Sequence, residues 1–173
     1  MTATPTFTLI LIRGLPGSGK TTVGHMIAHG NVIPGPISAD DYMVGPDGAY
    51  LFDPARLPEV HGACQRAVYD AMRAVATGDT PDAPTGAVVA NTFCEAWEME
   101  PYFRLAAEAG RKAHPLNVRV EVIDLFDAGR SDSELARRNG HGVPWERIAI
   151  MRSKYDHNWR MADWHEDYLR QTR

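Results

Sequence analysis

The chain has 173 residues, of which 44% are hydrophobic and 23% charged, and its net charge is −4. This is the length of one ordinary domain, and the composition is typical of a folded soluble protein rather than a disordered one. No apolar run reaches the roughly 18 residues that a membrane helix needs, and no secretory signal is expected at the N-terminus. The two cysteines, Cys64 and Cys94, exclude a disulfide framework and favour a reducing, cytoplasmic location.

The charge is spread unevenly, which bears on possible nucleic-acid partners. Residues 1–100 carry 11 acidic and 5 basic side chains, whereas residues 101–173 carry 13 basic and 11 acidic ones. Tight non-specific DNA binding usually requires a strongly basic face, and this composition does not supply one. A nucleic-acid partner would therefore use a local patch, most plausibly in the C-terminal part. Solvated helix faces are the alternative role for most of those arginines.

Short apolar runs alternate with helical patterns in the first half of the chain. Residues 7–12 predict a buried strand, and a glycine-rich loop and a helix over 21–29 follow it. A brief second strand is predicted at 37–39. A long helix is predicted over about 58–77, with Gly78 beyond its end.

The second half continues the alternation of strands and helices. Strands are predicted at 87–90 and 118–126, and helices over 98–109, 131–139 and 144–159. Ser131 with Glu134 three residues later forms a capping-box pattern at the start of one of these helices. The tail, with Trp159 and Trp164, is expected to pack on the sheet. The pattern predicts a single α/β domain over 1–173, with a central, mostly parallel sheet of four to five strands between helical layers.

The stretch between the first strand and the first helix matches a phosphate-binding loop. Residues 14–21, GLPGSGKT, fit G-x-x-x-x-G-K-[ST] at every fixed position, with a strand before and a helix after. Gly17 and Gly19 allow backbone N–H groups to point into one concavity that binds anions. Lys20 is expected to reach the β- and γ-phosphates, and the Thr21 hydroxyl to hold Mg²⁺. The predicted nucleotide-binding residues are Gly14, Pro16, Gly17, Ser18, Gly19, Lys20, Thr21 and Thr22.

Other features narrow the reaction that such a loop serves. The chain has no N-K-x-D guanine signature, which favours ATP over GTP, and the third predicted strand ends in Ala90-Asn91-Thr92 without the acidic residue of many hydrolases. A kinase, which works mainly by positioning and charge neutralisation, fits these features. Asp40 directly follows the second predicted strand, where it is expected to accept a proton from a hydroxyl or to hold Mg²⁺ through water. Asp41 is expected to be a helix cap.

Six stretches together resemble the polynucleotide-kinase-like P-loop family, which includes the kinase half of bacteriophage polynucleotide kinase and its eukaryotic relatives. They occur in the family's order from residue 9 to 156, and the pair "ADDY" and "RRNGHGVP" is more specific than the phosphate loop. The stretches are RGLPGSGKTT, ISADDY, VVANTF, EPYFRLAAEAG, ELARRNGHGVP and IAIMRSKYD. The resemblance implies a P-loop kinase fold with a helical lid over about residues 130–143.

The resemblance also implies roles for individual residues. Asp40 matches the general base that acts on a 5′-hydroxyl, and Arg138 matches a lid arginine that clamps the ATP phosphates. Arg137 is its neighbour and possible substitute, with an exposed helix face as the alternative. His141 is expected either to contact phosphate or simply to end the lid helix. Because a second acidic motif is absent, no 3′-phosphatase activity is expected.

The chain departs from the family pattern on the acceptor side. Met43 stands where the phage enzyme has an arginine that binds the substrate phosphate, and Phe93 replaces a polar residue after the third strand. Asn91 and Thr92 keep hydrogen-bonding capacity there and are candidate substrate contacts. His61 is a further candidate, with a helix-surface position as the alternative. The aromatic residues Trp97, Tyr102 and Phe103 are expected in the core, with base stacking as the alternative.

Three functions follow from these patterns. The first is an ATP- and Mg²⁺-dependent kinase that phosphorylates a hydroxyl of a nucleic acid, for which a 5′-hydroxyl end of DNA or RNA is expected; its catalytic residues would be Lys20, Asp40 and Arg138. The second is a kinase that acts on a hydroxylated base in DNA, a nucleoside or another small alcohol. The third is an ATP-binding switch without transferase activity. No membrane partner is expected, and no pattern predicts an oligomeric state.

Overall fold

A parallel sheet of three strands lies at the centre of the computed structural model, which describes residues 3–31, 33–78, 82–111 and 115–160. The strands are β1 (Thr6–Arg13), β2 (Gly86–Ala90) and β3 (Asn117–Asp124), in the order β2-β1-β3. In the register, Ile12 lies beside Ala90 of β2 and Ile123 of β3. The central β1 is therefore covered on both edges, and its C-terminal half is buried.

The predicted second strand is wrong in its extent. Only Ile37 pairs with the sheet, through an isolated parallel bridge to Val89. The chain then leaves the sheet because Ser38 caps a 3-10 turn over Ala39–Tyr42, in which the Asp41 carboxylate accepts a hydrogen bond from the Ser38 N–H at 2.9 Å. The role of Asp41 as a cap is confirmed. Within the described residues the sheet has three strands and one bridge, so four to five strands are not confirmed.

Five α-helices surround this sheet in the described part of the chain. They are α1 (Lys20–Asn31), α2 (Leu57–Thr77), α3 (Glu100–Ala109), α4 (Asp132–Arg138) and α5 (Trp145–Ser153). Gly78 ends α2 in the left-handed conformation with φ 67°, as predicted for a glycine cap. The capping box of α4 is also confirmed, with Ser131 and Glu134 bonded in both directions.

The last predicted helix is too long, because α5 ends at Ser153 rather than near residue 159. Beyond it the chain turns inward: Tyr155 is buried, and the Asp156 N–H donates to the Cys94 carbonyl at 2.8 Å. Trp159 packs against the main core and stacks with Phe103, with ring centroids 6.2 Å apart. That part of the tail prediction is confirmed. Trp164 lies outside the described residues.

The core has separate parts on the two faces of the sheet. Phe7, Leu9 and Leu11 point to the face covered by α2 and α3, whereas Ile10 and Ile12 pack with side chains of α1 on the other face. A third apolar cluster joins the phosphate loop to α4 and α5; its buried members are Leu15, Cys94, Leu135, Ile148 and Tyr155. The helices thus form layers on both faces and place α4 beside the loop. No helix in the described ranges is long and apolar enough to span a bilayer.

Candidate nucleotide and acceptor site

The glycine-rich loop joins the end of β1 to the start of α1, as predicted. Gly17 and Gly19 have φ values of 79° and 103°, which other residues rarely adopt. A Cβ atom on Gly17 would lie 2.3 Å from the carbonyl oxygen of Leu135, whereas one on Gly19 would meet nothing within 4 Å. Gly17 is therefore required by its φ and by the close approach of α4, and Gly19 by its φ alone.

The donors of this loop suit an anion. The N–H groups of the first turn of α1 have no partners within the helix. The hydroxyl of Ser18 is buried without a hydrogen-bond partner. The Lys20 ammonium donates to the Leu15 carbonyl at 3.0 Å, and an ammonium carries three donors in all. These groups fit phosphate oxygens, and the predicted nucleotide-binding residues Gly14 and 16–22 lie on this loop and the first turn of α1.

The surroundings of Lys20 disfavour the charged form of its ammonium group. Burial lowers the pKa of Lys20 from 10.5 to about 8, and the nearby Asp40 and Cys94 only partly oppose this shift. A bound phosphate would favour the charged form of the ammonium. Burial without a full counter-charge thus disfavours the ammonium, and an anion at this loop would restore its charged form.

Arg13, at the end of β1, is a structural residue that sequence reasoning missed. Its side chain is only 1% exposed, and it donates to the carbonyls of Phe93 and Cys94, each at 3.1 Å. It also forms an ion pair with Asp124 at 3.3 Å and lies 4.2 Å from the ring centroid of Tyr155. Arg13 thus ties the entrance of the phosphate loop to the ends of β2 and β3. A charged residue closing an otherwise apolar strand was the available signal.

Asp40 lies in the 3-10 turn after the Ile37 bridge, and both of its carboxylate oxygens face other side chains. The Tyr50 hydroxyl donates to Oδ1 at 3.2 Å. Nε2 of His141 lies 3.4 Å from Oδ2. The structure therefore brings together Asp40 and His141, two predicted candidates, and adds Tyr50, which the sequence did not indicate.

Asn91 and Thr92 support the site from the end of β2. Asn91 is buried, and its Oδ1 accepts a hydrogen bond from the Ala39 N–H at 2.9 Å, which fixes the start of the turn that carries Asp40. The Thr92 carbonyl accepts from the Gly14 N–H at 3.0 Å and so joins β2 to the phosphate loop. Their predicted role as substrate contacts stays a prediction.

The predicted lid segment, residues 130–143, contains α4 and contacts the phosphate loop. Arg138 Nε donates to the Gly17 carbonyl at 3.3 Å, and both Arg137 and Arg138 are exposed. Asn139 holds the following loop, because its amide donates to the Val143 carbonyl at 3.0 Å and its oxygen accepts from the Val143 N–H at 2.7 Å. This loop carries His141 to Asp40.

The remaining residues that the sequence singled out have mixed outcomes. Met43 is 1% exposed and belongs to the interior, so its side chain does not replace a substrate-binding arginine. Tyr102 and Phe103 are buried as expected for core residues, but Trp97 is 61% exposed and contradicts the core prediction. Its place in a short 3-10 turn before α3 explains the difference, because a turn need not bury every apolar side chain. His61 is half-buried on α2.

The oxygen groups at the site are those that Mg²⁺ prefers. Thr21 supplies a hydroxyl in the first turn of α1, and Asp40 supplies a carboxylate. No group of three or more His, Cys, Asp or Glu side chains suited to a metal occurs among the described residues. The Thr21 hydroxyl and the Asp40 carboxylate are oxygen groups of the kind that would fit Mg²⁺.

A G-x-x-x-x-G-K-T loop between the central strand of a parallel sheet and a helix, with its lysine directed back over the loop, defines a P-loop nucleotide-binding domain. A family model described as an AAA domain matches residues 9–157, and the chain belongs to this kinase-like P-loop family. Human NEDD4-binding protein 2 is 34% identical to it over 147 residues, which are 85% of this chain. The chain spans only 8% of the length of that relative.

Proposed function

We propose that the protein is an ATP-dependent kinase that transfers the γ-phosphate to a hydroxyl of a nucleic acid, with a 5′-hydroxyl end as the expected acceptor. One observation carries the proposal: the Asp40 carboxylate lies 3.4 Å from His141 of the lid segment, which also contacts the phosphate loop through Arg138. A protein that only binds nucleotide needs no carboxylate at this place. In a kinase whose acceptor is a hydroxyl, a carboxylate beside the terminal phosphate can take the proton of that hydroxyl.

Each of the three proposed catalytic residues has a different role in the transfer of the γ-phosphate. The acceptor hydroxyl oxygen forms a bond to the γ-phosphorus, the bond from that phosphorus to the β–γ bridging oxygen breaks, and ADP leaves. Asp40 takes the proton of the hydroxyl. Lys20 and Arg138, on the two sides of the loop, neutralise the charge on the phosphate oxygens.

Magnesium would be held by the Thr21 hydroxyl, by nucleotide phosphates and, through water, by Asp40. When bound, Mg²⁺ neutralises charge on the β- and γ-phosphates. The rest of the positioning falls to this chain: the loop amides hold the phosphates, and the turn at 39–42 presents the carboxylate.

A second candidate acceptor is a hydroxylated base in DNA, a nucleoside or a small alcohol. Burial of Met43 favours it, because the family arginine for a substrate phosphate has no counterpart at that position. The short hairpin that follows, residues 43–52, exposes the apolar side chains of Val44, Leu51 and Phe52 next to the turn that carries Asp40. An acceptor recognised by an apolar or aromatic face would suit this surface.

Incubation with γ-labelled ATP and a panel of acceptors tests the proposal. The panel contains 5′-hydroxyl DNA and RNA oligonucleotides, the same oligonucleotides with a 5′-phosphate as the matched control, a duplex with hydroxylated bases, and nucleosides. Label on 5′-hydroxyl ends alone is the expected result. Label on bases or nucleosides would select the second candidate, and ATP binding without label on any acceptor would support a switch instead.

A further inference from the structure

The hairpin over residues 43–52 is bonded to the proposed base and to the helix region that follows. The Tyr50 hydroxyl donates to the Asp40 carboxylate at 3.2 Å. Val44 lies opposite Tyr50 in an antiparallel bridge, and Arg56 Nη1 donates to the Val44 carbonyl at 3.2 Å. Both strands of the hairpin are therefore held in place, and one of them lies directly beside Asp40.

The two faces of this hairpin carry different side chains. Bridge partners of an antiparallel pair present their side chains on the same face, so Val44 shares the face of the Tyr50 ring. The pairing continues to Leu51, whose N–H donates to the Met43 carbonyl at 2.8 Å. Because side chains alternate along extended backbone, Phe52 belongs with Tyr50, and Leu51 belongs to the opposite face. The hairpin face, as we call it, thus consists of Val44, Tyr50 and Phe52.

Much of the hairpin face is open to solvent. Val44 is 44% exposed and Phe52 is 57% exposed. The Tyr50 ring already contacts His141, with ring centroids 4.4 Å apart and planes tilted by 38°. The exposed part of the face is therefore a phenyl ring and an aliphatic side chain beside the proposed base, and such a surface favours contact with another flat ring.

The charges of the surrounding segment disfavour a phosphate group as the ligand of this face. Residues 39–59 carry one basic side chain, Arg56, and five acidic ones. The acidic residues are Asp40, Asp41, Asp47, Asp53 and Glu59. The Arg56 guanidinium already donates to the carbonyls of Tyr42 and Val44 and forms an ion pair with Glu59 at 3.3 Å. A segment with an excess of negative charge repels an anion, so the hairpin face suits a neutral ring.

We propose that the hairpin face holds the terminal nucleobase of the acceptor strand, and that Phe52 is the residue on which this base stacks. The inference rests on the proposed function, because it takes the 5′-hydroxyl end of a nucleic acid as the acceptor. The sugar of the terminal nucleotide joins the base to the 5′-hydroxyl, so a base on Phe52 brings its own hydroxyl towards Asp40. Recognition of the acceptor through its base needs no arginine at position 43, where Met43 is buried.

Two acceptors test the proposal: a 5′-hydroxyl oligonucleotide and the same strand with an abasic 5′-terminal residue that keeps its hydroxyl. We expect the wild-type kcat/KM to be at least about tenfold lower for the abasic strand, because a stacked base contributes in this range. Phe52→Ala should lower kcat/KM by about tenfold for the strand with the base and by less than about twofold for the abasic strand, with the Kd for ATP unchanged. Phe52→Trp, which keeps a flat ring, should retain the preference for the base.

Met26→Ala is the matched control, because it removes another exposed apolar side chain, on α1. It should leave kcat/KM for both strands at the wild-type values. Equal wild-type kcat/KM for the two strands, or an equal loss with both strands in Phe52→Ala, would overturn the proposal while the kinase assignment stands. Label on free nucleosides but on neither strand would overturn it and select the second acceptor class. Absence of label on every acceptor would overturn the proposed function and this inference with it.

Discussion

Gly17 and Leu135 are in backbone contact, so that the phosphate loop and the lid helix touch without side chains between them. A single Cβ at Gly17 would lie 2.3 Å from the Leu135 carbonyl oxygen. Arg138, one turn further along the same helix, donates to the carbonyl of Gly17. The lid and the anion-binding loop therefore share one interface, and a conformational change of the loop would displace α4.

Gly17→Ala should weaken nucleotide binding by at least about tenfold, because both the left-handed φ and the clash with α4 distort the loop. Calorimetric titration with ATP measures the effect. Gly78→Ala is the matched control, since Gly78 has a similar φ of 67° but no neighbour within 4 Å. That variant should lose only about 1 kcal/mol of stability, with the ATP Kd unchanged. Equal ATP affinity in the two variants would contradict the interpretation.

Asp40→Asn should lower phosphate transfer by about 10² to 10⁴-fold while ATP binding is retained, because an amide of the same shape cannot take a proton. Single-turnover transfer to the best acceptor of the panel gives the rate, and titration gives the ATP affinity. Lys20→Ala should remove nearly all transfer and weaken ATP binding as well. A normal transfer rate in Asp40→Asn would eliminate the proposed base.

The affinity for ATP should depend on the protonation of Lys20. Because its pKa in the free protein is about 8, the ammonium is charged below that pH and neutral above it. Phosphate prefers the charged form, so we expect affinity to be constant below pH 7 to 8 and to fall by up to about tenfold per pH unit above it. Titrations from pH 7 to 9.5 measure this slope, and Lys20→Met, which has no titrating ammonium, should show a flat profile.

The lowered pKa of Lys20 also makes the free energy of unfolding depend on pH. The direction is opposite to that of a lysine whose pKa is raised by a partner in the folded state. Between about pH 8 and 10.5 the unfolded chain binds more protons at Lys20 than the folded chain does, so the contribution of this residue to the free energy of unfolding rises with pH. Below pH 8 both states are protonated, and the contribution is constant. Urea unfolding of wild type and Lys20→Met at pH 7.5 and 9.5 isolates the effect: the difference between the proteins should move in favour of wild type at the higher pH.

Arg13→Met should destabilise the fold by about 3 to 5 kcal/mol, since it removes the partner of several buried groups and leaves their oxygens unsatisfied. The carbonyls of Phe93 and Cys94 lose their donors in this variant. The free energy of unfolding in urea is the measurement. Arg73→Met, at an exposed position on α2, is the matched control and should stay within about 0.5 kcal/mol of wild type. Equal stability of the two variants would mean that Arg13 does not hold the loop in place.

The sequence predicted those features that depend on local patterns. The phosphate loop follows from its glycine spacing, the end of α2 from Gly78, and the start of α4 from Ser131 and Glu134. In each case the determining residues lie within a few positions of one another, so the physical cause is visible in the chain itself.

Features set by distant contacts were not predictable in this way. The partners of Arg13 come from the ends of β2 and β3, and those of Asp40 come from positions 50 and 141. The end of α5 is likewise set by tertiary packing, since Tyr155 is drawn into the cluster with Leu15 and Leu135. The helical periodicity of the sequence continues past Ser153, but the packing of Tyr155 ends the helix there.

The contact of Arg13 with residue 156 sets a minimum length for a stable fragment. Its Nη1 donates to the Asp156 carbonyl at 3.0 Å, across 143 positions of the chain. A truncation that stopped after α5 would keep the three described strands, the whole glycine loop and the lid. It would nevertheless remove one hydrogen-bond acceptor of the Arg13 guanidinium and its contact with the Tyr155 ring. Part of a buried cation would then have no partner. Shortened versions intended for expression should therefore extend beyond residue 156.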